Sequence, residues 1–172
     1  MKKIYGMTLI ELMVTLAVAI VVLGVGIPAF MNMVSATKVS GYSNDLLSAL
    51  RLARSEATDG TPVMVCASNA DQTGCDAANW PQGWLVYTDE GNDSGVYKAG
   101  EDEILYVWRA MEGAPVFNGA TPNTIRYLPS GATDVGAQIQ FAFKYDDCIG
   151  QQARQFTISP LGRSSIDHVA CF

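Results

Sequence analysis

The residue types that could perform nucleophilic catalysis occur together near the end of the chain. His168 is the only histidine, follows Asp167, and lies three residues before Cys171, with Ser164 and Ser165 close by. Side chains adjacent in sequence rarely face one another, and no nucleophile-elbow or oxyanion-hole motif surrounds these residues. We therefore expect no enzymatic activity and interpret His168 as a surface side chain.

Oxygen-rich side chains that could bind a metal ion occur together between Asp89 and Gly95, in the run Asp-Glu-Gly-Asn-Asp-Ser-Gly. The density of oxygens is typical of a calcium loop, but the run lacks the EF-hand spacing and its terminal Glu. Zinc would require cysteines at CxxC-like spacing, and the four cysteines do not have it. We therefore expect a solvated acidic loop, no metal site and no cofactor.

Glu11 is the single ionisable side chain between Met7 and Ala29. As a helix this 23-residue run spans about 35 Å, which is enough to cross a bilayer. A charged side chain in hydrocarbon costs about 2.5–3.5 kcal/mol on insertion scales, so we expect the carboxylate to have a partner. Lys2 and Lys3 precede the run, and the positive-inside rule places this end of the chain in the cytoplasm.

The position of Gly6 immediately before the apolar run indicates processing that differs from that of an ordinary secretory signal. Signal peptidase cuts after the apolar core, at small residues, and residues 17–19 (Ala-Val-Ala) could imitate such a site, although more apolar residues follow them. A cut after Gly6 would instead keep the whole apolar run. It would make Met7 the new N-terminus and Glu11 the fifth residue of the mature chain.

Gly6 and Met7, followed by Thr-Leu-Ile-Glu-Leu and a long apolar helix, resemble the class III leader of type IV pilins and type II secretion pseudopilins. The resemblance implies that a prepilin peptidase cuts between Gly6 and Met7 and methylates the new amine. Met7 stands where this family usually has Phe. The resemblance also implies that Glu11 meets the N-terminal amine of a neighbouring subunit and fixes the axial register of the filament. Pro28 lies where many pilins have a helix-kinking proline.

Four cysteines occur after the apolar run: Cys66, Cys75, Cys148 and Cys171. A domain translocated across a membrane lies in an oxidising compartment, where disulfides persist. Four cysteines allow three pairings. We favour Cys66–Cys75 and Cys148–Cys171, because each pair closes a local loop, and free thiols or cross-pairing are the alternatives.

An amphipathic helical segment follows the apolar one. Its apolar residues recur at steps of three and four, with polar residues between them: Val34, Val39, Tyr42, Leu46, Leu50, Ala53 and Ala57. Pro28 is expected to bend the helix, and Asp59-Gly60 provides a stop signal. The pattern predicts one helix from about Thr8 to Thr58.

The periodicity then changes to that of strands. Six short segments are rich in β-branched and aromatic residues and are bounded by Gly, Pro, Asn or Asp: 62–67, 83–88, 103–108, 123–128, 139–145 and 155–159. One long helix followed by strands predicts an α+β protein whose N-terminal helix packs against an antiparallel β-sheet head. We expect three parts: a leader (1–6), the transmembrane and filament-core half of the helix (7–29), and a globular head that includes the amphipathic half (30–172).

The end of the predicted helix, Leu50 to Ala57, resembles the arginine-containing helix end of the GspH/FimT family of minor pilins and minor pseudopilins. The likeness continues through residues 62–66, 83–87 and 158–163. It implies the type IV pilin fold. From the residues alone, we expect Arg51 and Arg54 to lie on a solvated helix face and to pair with Glu56 or Asp59.

The family resemblance implies a minor pilin that helps to initiate a type IV pilus or sits at its tip. The alternative is a GspH-like minor pseudopilin of a type II secretion system. The implied partners are other pilin or pseudopilin subunits, the prepilin peptidase and the inner-membrane assembly platform. The implied location is a single pass through the inner membrane with a periplasmic head, followed by entry into a pilus or pseudopilus.

A second alternative, also implied by the family, is a FimT-like DNA receptor for natural transformation, which binds through a Gly-Arg-x-Arg motif. Residues 162–165 read Gly-Arg-Ser-Ser, so only the first arginine is present, and Arg154 lies nearby. Removal of the leader would leave 9 basic against 17 acidic residues, a net charge of −8. Such acidity argues against broad binding to a phosphate backbone. DNA contact through Arg154, Gly162 and Arg163 is therefore the less favoured interpretation.

Overall fold

The protein forms one long helix followed by a β-rich head in the computed structural model, which describes residues 7–76, 79–91, 96–113, 115–119 and 121–172. The helix is α1 (Leu9–Ala57). The strands within the described ranges are β1 (Val63–Ala67), β2 (Trp84–Thr88), β3 (Ile104–Trp108), β4 (Val116–Asn118), β5 (Thr124–Tyr127), β6 (Ile139–Lys144), β7 (Ala153–Ile158) and β8 (Ser164–Val169). A short 3-10 turn, Trp80–Gln82, precedes β2.

Helix α1 has 49 residues and is about 74 Å long. It continues through Pro28, and the bend predicted there stays a prediction. The predicted helix is confirmed to within one residue at each end. Its second half is amphipathic. Five residues of the predicted stripe are buried, Val39, Leu46, Leu50, Ala53 and Ala57. Val34 is exposed and Tyr42 is half-buried, whereas Ser43 and Ala49, which were not predicted, are buried as well.

The strands form two antiparallel sheets of four strands each, in the orders β3-β2-β1-β5 and β4-β6-β7-β8. The predicted fold, a long N-terminal helix packed on antiparallel sheet, is confirmed, and all six predicted strands are present. The sequence analysis missed β4, which has only three residues, and β8. Strand β8 reads Ser-Ser-Ile-Asp-His-Val, and an edge strand that exposes much of its surface does not require a continuous apolar pattern.

Both sheets and α1 contribute to one hydrophobic core. The largest buried side chains form an aromatic stack inside it: the ring centroids of Phe141 and Phe156 lie 5.1 Å apart, and Trp80 lies 6.0 Å from Phe141. Trp80 also donates from Nε1 to the carbonyl of Pro122 at 2.9 Å. Because one core joins helix and sheets, the head is a single structural unit that includes the second half of α1.

The first sheet is covered on both faces. Trp84 and Val86 of β2 face the core with α1, whereas Leu85 and Tyr87 face a second apolar cluster on the other side. The Cys66–Cys75 disulfide lies at this second face, with an S–S distance of 2.04 Å. Cys75, at the end of the loop that this disulfide closes, packs against the second cluster together with Tyr97.

The second disulfide joins Cys148 to Cys171 across 23 positions. The backbone N–H of Cys171 also donates to the carbonyl of Gly150 at 3.0 Å. Both bonded pairs are those that the sequence analysis favoured. The Cys148–Cys171 bond fastens the C-terminal end of the chain, just beyond β8, to the turn between β6 and β7.

We expect Cys148→Ser and Cys171→Ser each to lower the free energy of unfolding of the head by about 3 kcal/mol, because opening a loop of this length restores chain entropy to the unfolded state. The double variant should be no less stable than either single variant, since either change alone opens the loop. Urea unfolding of the full-length protein in detergent micelles, followed by tryptophan fluorescence, measures both effects. Free thiols, or a Cys66–Cys148 link, in non-reducing peptide mapping would contradict the pairing.

Candidate assembly site

The first part of α1 extends beyond the head as an apolar stalk. All side chains from Met7 to Met31 are exposed in the isolated chain, and Leu9, for example, is 78% exposed. By length and composition α1 could cross a membrane, with a mean hydropathy of 2.6 in its most apolar window. A helix that is apolar on all sides is stable only in lipid or against other proteins. This stalk is therefore the first candidate surface for anchoring and assembly.

The N-terminal turn of the stalk contains Glu11. The hydroxyl of Thr8, the N-cap residue, accepts from the backbone N–H of Glu11 at 3.3 Å. Thr-x-x-Glu is the spacing of a capping box, and an acid in the first turn also interacts favourably with the helix dipole. The Glu11 carboxylate itself has no partner in the described part of the chain. The helix cap uses the backbone N–H of Glu11, which leaves the carboxylate available for an ion pair with another subunit. Gly6 lies outside the described residues, so the structure does not bear on the predicted cut.

The stalk meets the head between Ser35 and Val39. The Ser35 hydroxyl donates to the carboxylate of Asp147, Lys38 Nζ lies 3.1 Å from Glu112 Oε2, and Val39 is buried. An open hollow of about 510 Å³ lies at this junction, lined partly by apolar residues of the stalk and partly by acidic residues of the head. Tyr145 lines it and donates to the carbonyl of Glu112 at 2.6 Å; burial raises the pKa of Tyr145 to about 12, so the phenol stays neutral.

Arg54, near the C-terminal end of α1, holds two turns of the head. Its Nε donates to the carbonyl of Gly131 at 3.0 Å, and its Nη2 donates to the carbonyl of Leu161 at 3.1 Å. The prediction that Arg54 pairs with Glu56 or Asp59 on a solvated face was therefore wrong. The carbonyl oxygens are 77 and 107 positions away in sequence, so only the folded chain brings them to the helix end.

We expect Arg54→Met to lower the free energy of unfolding of the head by about 2 kcal/mol, the typical loss for hydrogen bonds to a charged donor. Arg51→Met is the matched control on the same helix, because Arg51 is exposed and makes no ion pair with a described residue. We expect the control to change stability by about 0.5 kcal/mol or less. Equal losses for the two variants in urea unfolding would show that the carbonyl contacts contribute little.

The three residues of the DNA interpretation occupy different environments. Arg154 is only 7% exposed; its Nη1 donates to backbone carbonyls of residues 151–153, and its Nη2 donates to Ser40 Oγ at 3.0 Å. Gly162 is buried, with a φ of +76°. Of the three, only Arg163 presents an exposed side chain. The predicted basic contact is thereby reduced to one arginine.

In the described part of the acidic loop, the aspartate carboxylates contact groups of the protein itself. Asp89 is 1% exposed, and its Oδ2 lies 2.7 Å from Arg126 Nη2. Asp102 accepts from the backbone N–H groups of Glu90 and Lys98 at 3.2 and 2.7 Å. Residues 92–95 lie outside the described residues, and the described remainder contains no group of three or more metal-binding side chains. The acids at the base of the loop therefore stabilise the head.

Two family comparisons match the chain. The prokaryotic N-terminal methylation motif matches residues 1–27, which include Glu11 and most of the stalk. The family described as Type II transport protein GspH matches residues 43–162, from the buried half of α1 to Gly162. The chain belongs to the GspH family. A comparison with curated proteins found no matching sequence.

The GspH-family head resembles a solved pilin in fold. One crystal structure of the type IV minor pilin FimU from Pseudomonas aeruginosa PAO1 matches with a TM-score of 0.55 and 18% identity, over 76% of this chain and 89% of that chain. A second FimU structure, in another space group, gives 0.49 and 19% over 74% and 91%. The first match confirms the predicted type IV pilin fold. Fold and family together make this protein a minor pilin or minor pseudopilin, with an N-terminal helix suited to membrane anchoring and to a filament.

Besides β4, sequence reasoning missed two features of the GspH-family head that bear on the candidate site. The first is the anchoring role of Arg54, for which no local signal exists, because its acceptors are backbone carbonyls. The second is β8, whose only sequence signal is the placement of Ile166 and Val169 after the turn that ends at Gly162. As a result, the segment that the sequence analysis treated as a possible DNA contact is a turn and an edge strand.

Proposed function

We propose that this protein is a minor pilin that helps to initiate a type IV pilus or sits at its tip. The observation that carries the proposal is the exposed apolar stalk, Met7–Met31, continuous with a helix half that is built into the head core. Such a helix can leave a bilayer only if other apolar helices replace the lipid. Assembly into a helical bundle provides that replacement without unfolding the head.

The proposed sequence of events begins in the inner membrane, with the head on the periplasmic side. The prepilin peptidase removes residues 1–6 and methylates Met7. The assembly platform then extracts the stalk into the growing filament, where residues 7–29 form its core and residues 30–172 form the outer head. Glu11 would meet the amine of a neighbouring subunit, and Pro28 would adjust the direction of the stalk.

We expect intact-mass analysis of the membrane-purified protein to show the loss of six residues and the gain of one methyl group. The reason is the Gly6–Met7 junction directly before an uninterrupted apolar helix. A Gly6→Leu variant should keep its leader in the same host, which controls for cleavage by other proteases. A mature N-terminus at any residue other than Met7 would contradict the proposed processing.

The alternative machine is a type II secretion system, because the matched family is described as a type II transport protein. Deletion of the gene in the native host separates the two. Fewer sheared pili with normal secretion of exported proteins supports the pilus, and the reverse result supports the pseudopilus. Of the three residues assigned to the DNA-receptor interpretation, only Arg163 is exposed, so that interpretation stays the less favoured one.

A further inference from the structure

A polar groove runs between α1 and β8 on the side of the head. It has a volume of about 550 Å³. Asn44 and Arg51 line it from the helix, Ser164 and His168 line it from the strand, and Arg154 lines it from β7. The groove combines two guanidinium groups with an imidazole and hydroxyls, which is a set of groups suited to binding carboxylates or phosphates.

The positive charges in the groove are not neutralised within the described chain. Arg154 donates only to neutral acceptors, namely backbone carbonyls and the Ser40 hydroxyl. Arg51 has no carboxylate partner among the described residues. Burial lowers the pKa of Arg154 from its ordinary value, as expected for a cation that has lost water without gaining an anion. An anionic group in the groove would remove this imbalance.

The β8 side of the groove is also a free sheet edge. Strand β8 is the last strand in its sheet and pairs with β7 alone among the described strands. The Ser159 N–H donates to the carbonyl of Arg163, so Ser159 and Arg163 form a hydrogen-bonded pair. In an antiparallel ladder such pairs alternate with non-hydrogen-bonded pairs, and Ser164, Ile166 and His168 belong to the non-hydrogen-bonded ones. It follows that the backbone N–H and C=O groups of Ser164, Ile166 and His168 point away from β7 and are available to another strand at this edge.

We propose that this groove binds an extended, carboxylate-bearing segment of another filament subunit, which adds to the β8 edge. Main-chain bonds to β8 would hold the segment, and alternate acidic side chains would reach Arg51, Arg154 and His168. The inference rests on the proposed function only in taking the partner to be another subunit. A peptide is favoured over a nucleic acid because the β8 edge offers main-chain pairing, which a peptide backbone can complete and a nucleic acid cannot.

The test uses the full-length protein in detergent micelles and a fluorescein-labelled heptapeptide, acetyl-Thr-Glu-Thr-Glu-Thr-Glu-Thr-amide. We expect saturable binding by fluorescence anisotropy, and at least tenfold weaker binding of the same peptide with Gln in place of Glu. Arg51→Gln should weaken binding of the Glu peptide at least fivefold. Arg163→Gln removes an exposed arginine that does not line the groove and should leave binding unchanged.

Equal binding of the Glu and Gln peptides, or no binding of either, overturns the groove proposal. Equal or tighter binding of an eight-residue oligothymidylate also overturns it, in favour of a nucleic-acid site. The proposed function is tested separately, by the presence of the wild-type protein in sheared pili. Absence from pili overturns that function whatever the peptide result, and loss of peptide selectivity overturns the groove whatever the pilus result.

Discussion

Replacement of Glu11 by Ala or Gln is expected to reduce the amount of this protein in sheared filaments by a factor on the order of 100, because removing one partner of a buried ion pair leaves the other charge uncompensated. Under the function proposed above, that partner would be the methylated amine of Met7 of an adjacent subunit. Among the described residues the Glu11 carboxylate has no ion-pair partner, so no contact inside the described part of the chain depends on its charge. Leader cleavage should be unaffected.

The Gln variant separates the ion pair from the helix cap. A capping box accepts Gln in place of Glu, so Glu11→Gln keeps the cap and removes only the charge. Thr8→Ala is the complementary control, because it removes the side-chain acceptor for the Glu11 N–H and keeps the carboxylate. We expect Thr8→Ala to enter filaments at close to wild-type amounts. Normal incorporation of Glu11→Gln together with loss of Thr8→Ala would assign the motif to helix capping.

Gly162→Ala is expected to lower the free energy of unfolding of the head by about 4 kcal/mol. The residue has a φ of +76°, a conformation that costs an L side chain about 1–2 kcal/mol. A Cβ there would overlap the carbonyl oxygen of Gly131 and would lie 3.1 Å from Arg54 Nε. Overpacking against a fixed backbone costs a further 1–3 kcal/mol or so, and it would also disturb the bond between Arg54 and Gly131.

Gly136→Ala is the matched control for Gly162→Ala. Gly136 has a φ of +63°, but a Cβ there would meet no atom within 4 Å. We expect this control to cost only about 1–2 kcal/mol, from the backbone conformation alone. The difference between the two variants in urea unfolding measures the close approach to Gly131. If the two variants are equally stable and Gly162→Ala instead changes DNA binding, then Gly162 acts in recognition and not in packing.

The long helix could be predicted almost completely because each of its signals is local. The apolar run, the stripe that continues to Ala57 and the stop at Asp59-Gly60 are each recognised from residues that lie close together in sequence. The six predicted strands had the same advantage, since β-branched and aromatic residues mark them directly. The processing motif was also local, and the family match over residues 1–27 covers it.

The features that sequence could not provide depend on contacts between distant residues. Arg54 looks like any surface arginine until the turns at Gly131 and Leu161 are brought to it. Strand β8 becomes a strand because β7 presents an edge to it, and its own composition is mostly polar. The sequence analysis considered Arg154 as a possible DNA contact, whereas in the structure its guanidinium donates to backbone carbonyls and to Ser40. In each case, the partner and not the residue determines the role.

The continuity of α1 from stalk to core determines how the head carries mechanical load. A pull on the stalk acts along the helix axis, and the buried residues from Val39 to Ala57 interdigitate with both sheets along that axis. The load is therefore carried in shear by many side chains at once, and no single strand is peeled from its neighbour. Strand β8 is an edge strand and pairs with β7 alone among the described strands, so peeling could begin there. The Cys148–Cys171 bond links the residues just beyond β8 to the turn between β6 and β7, which limits how far β8 can separate from β7.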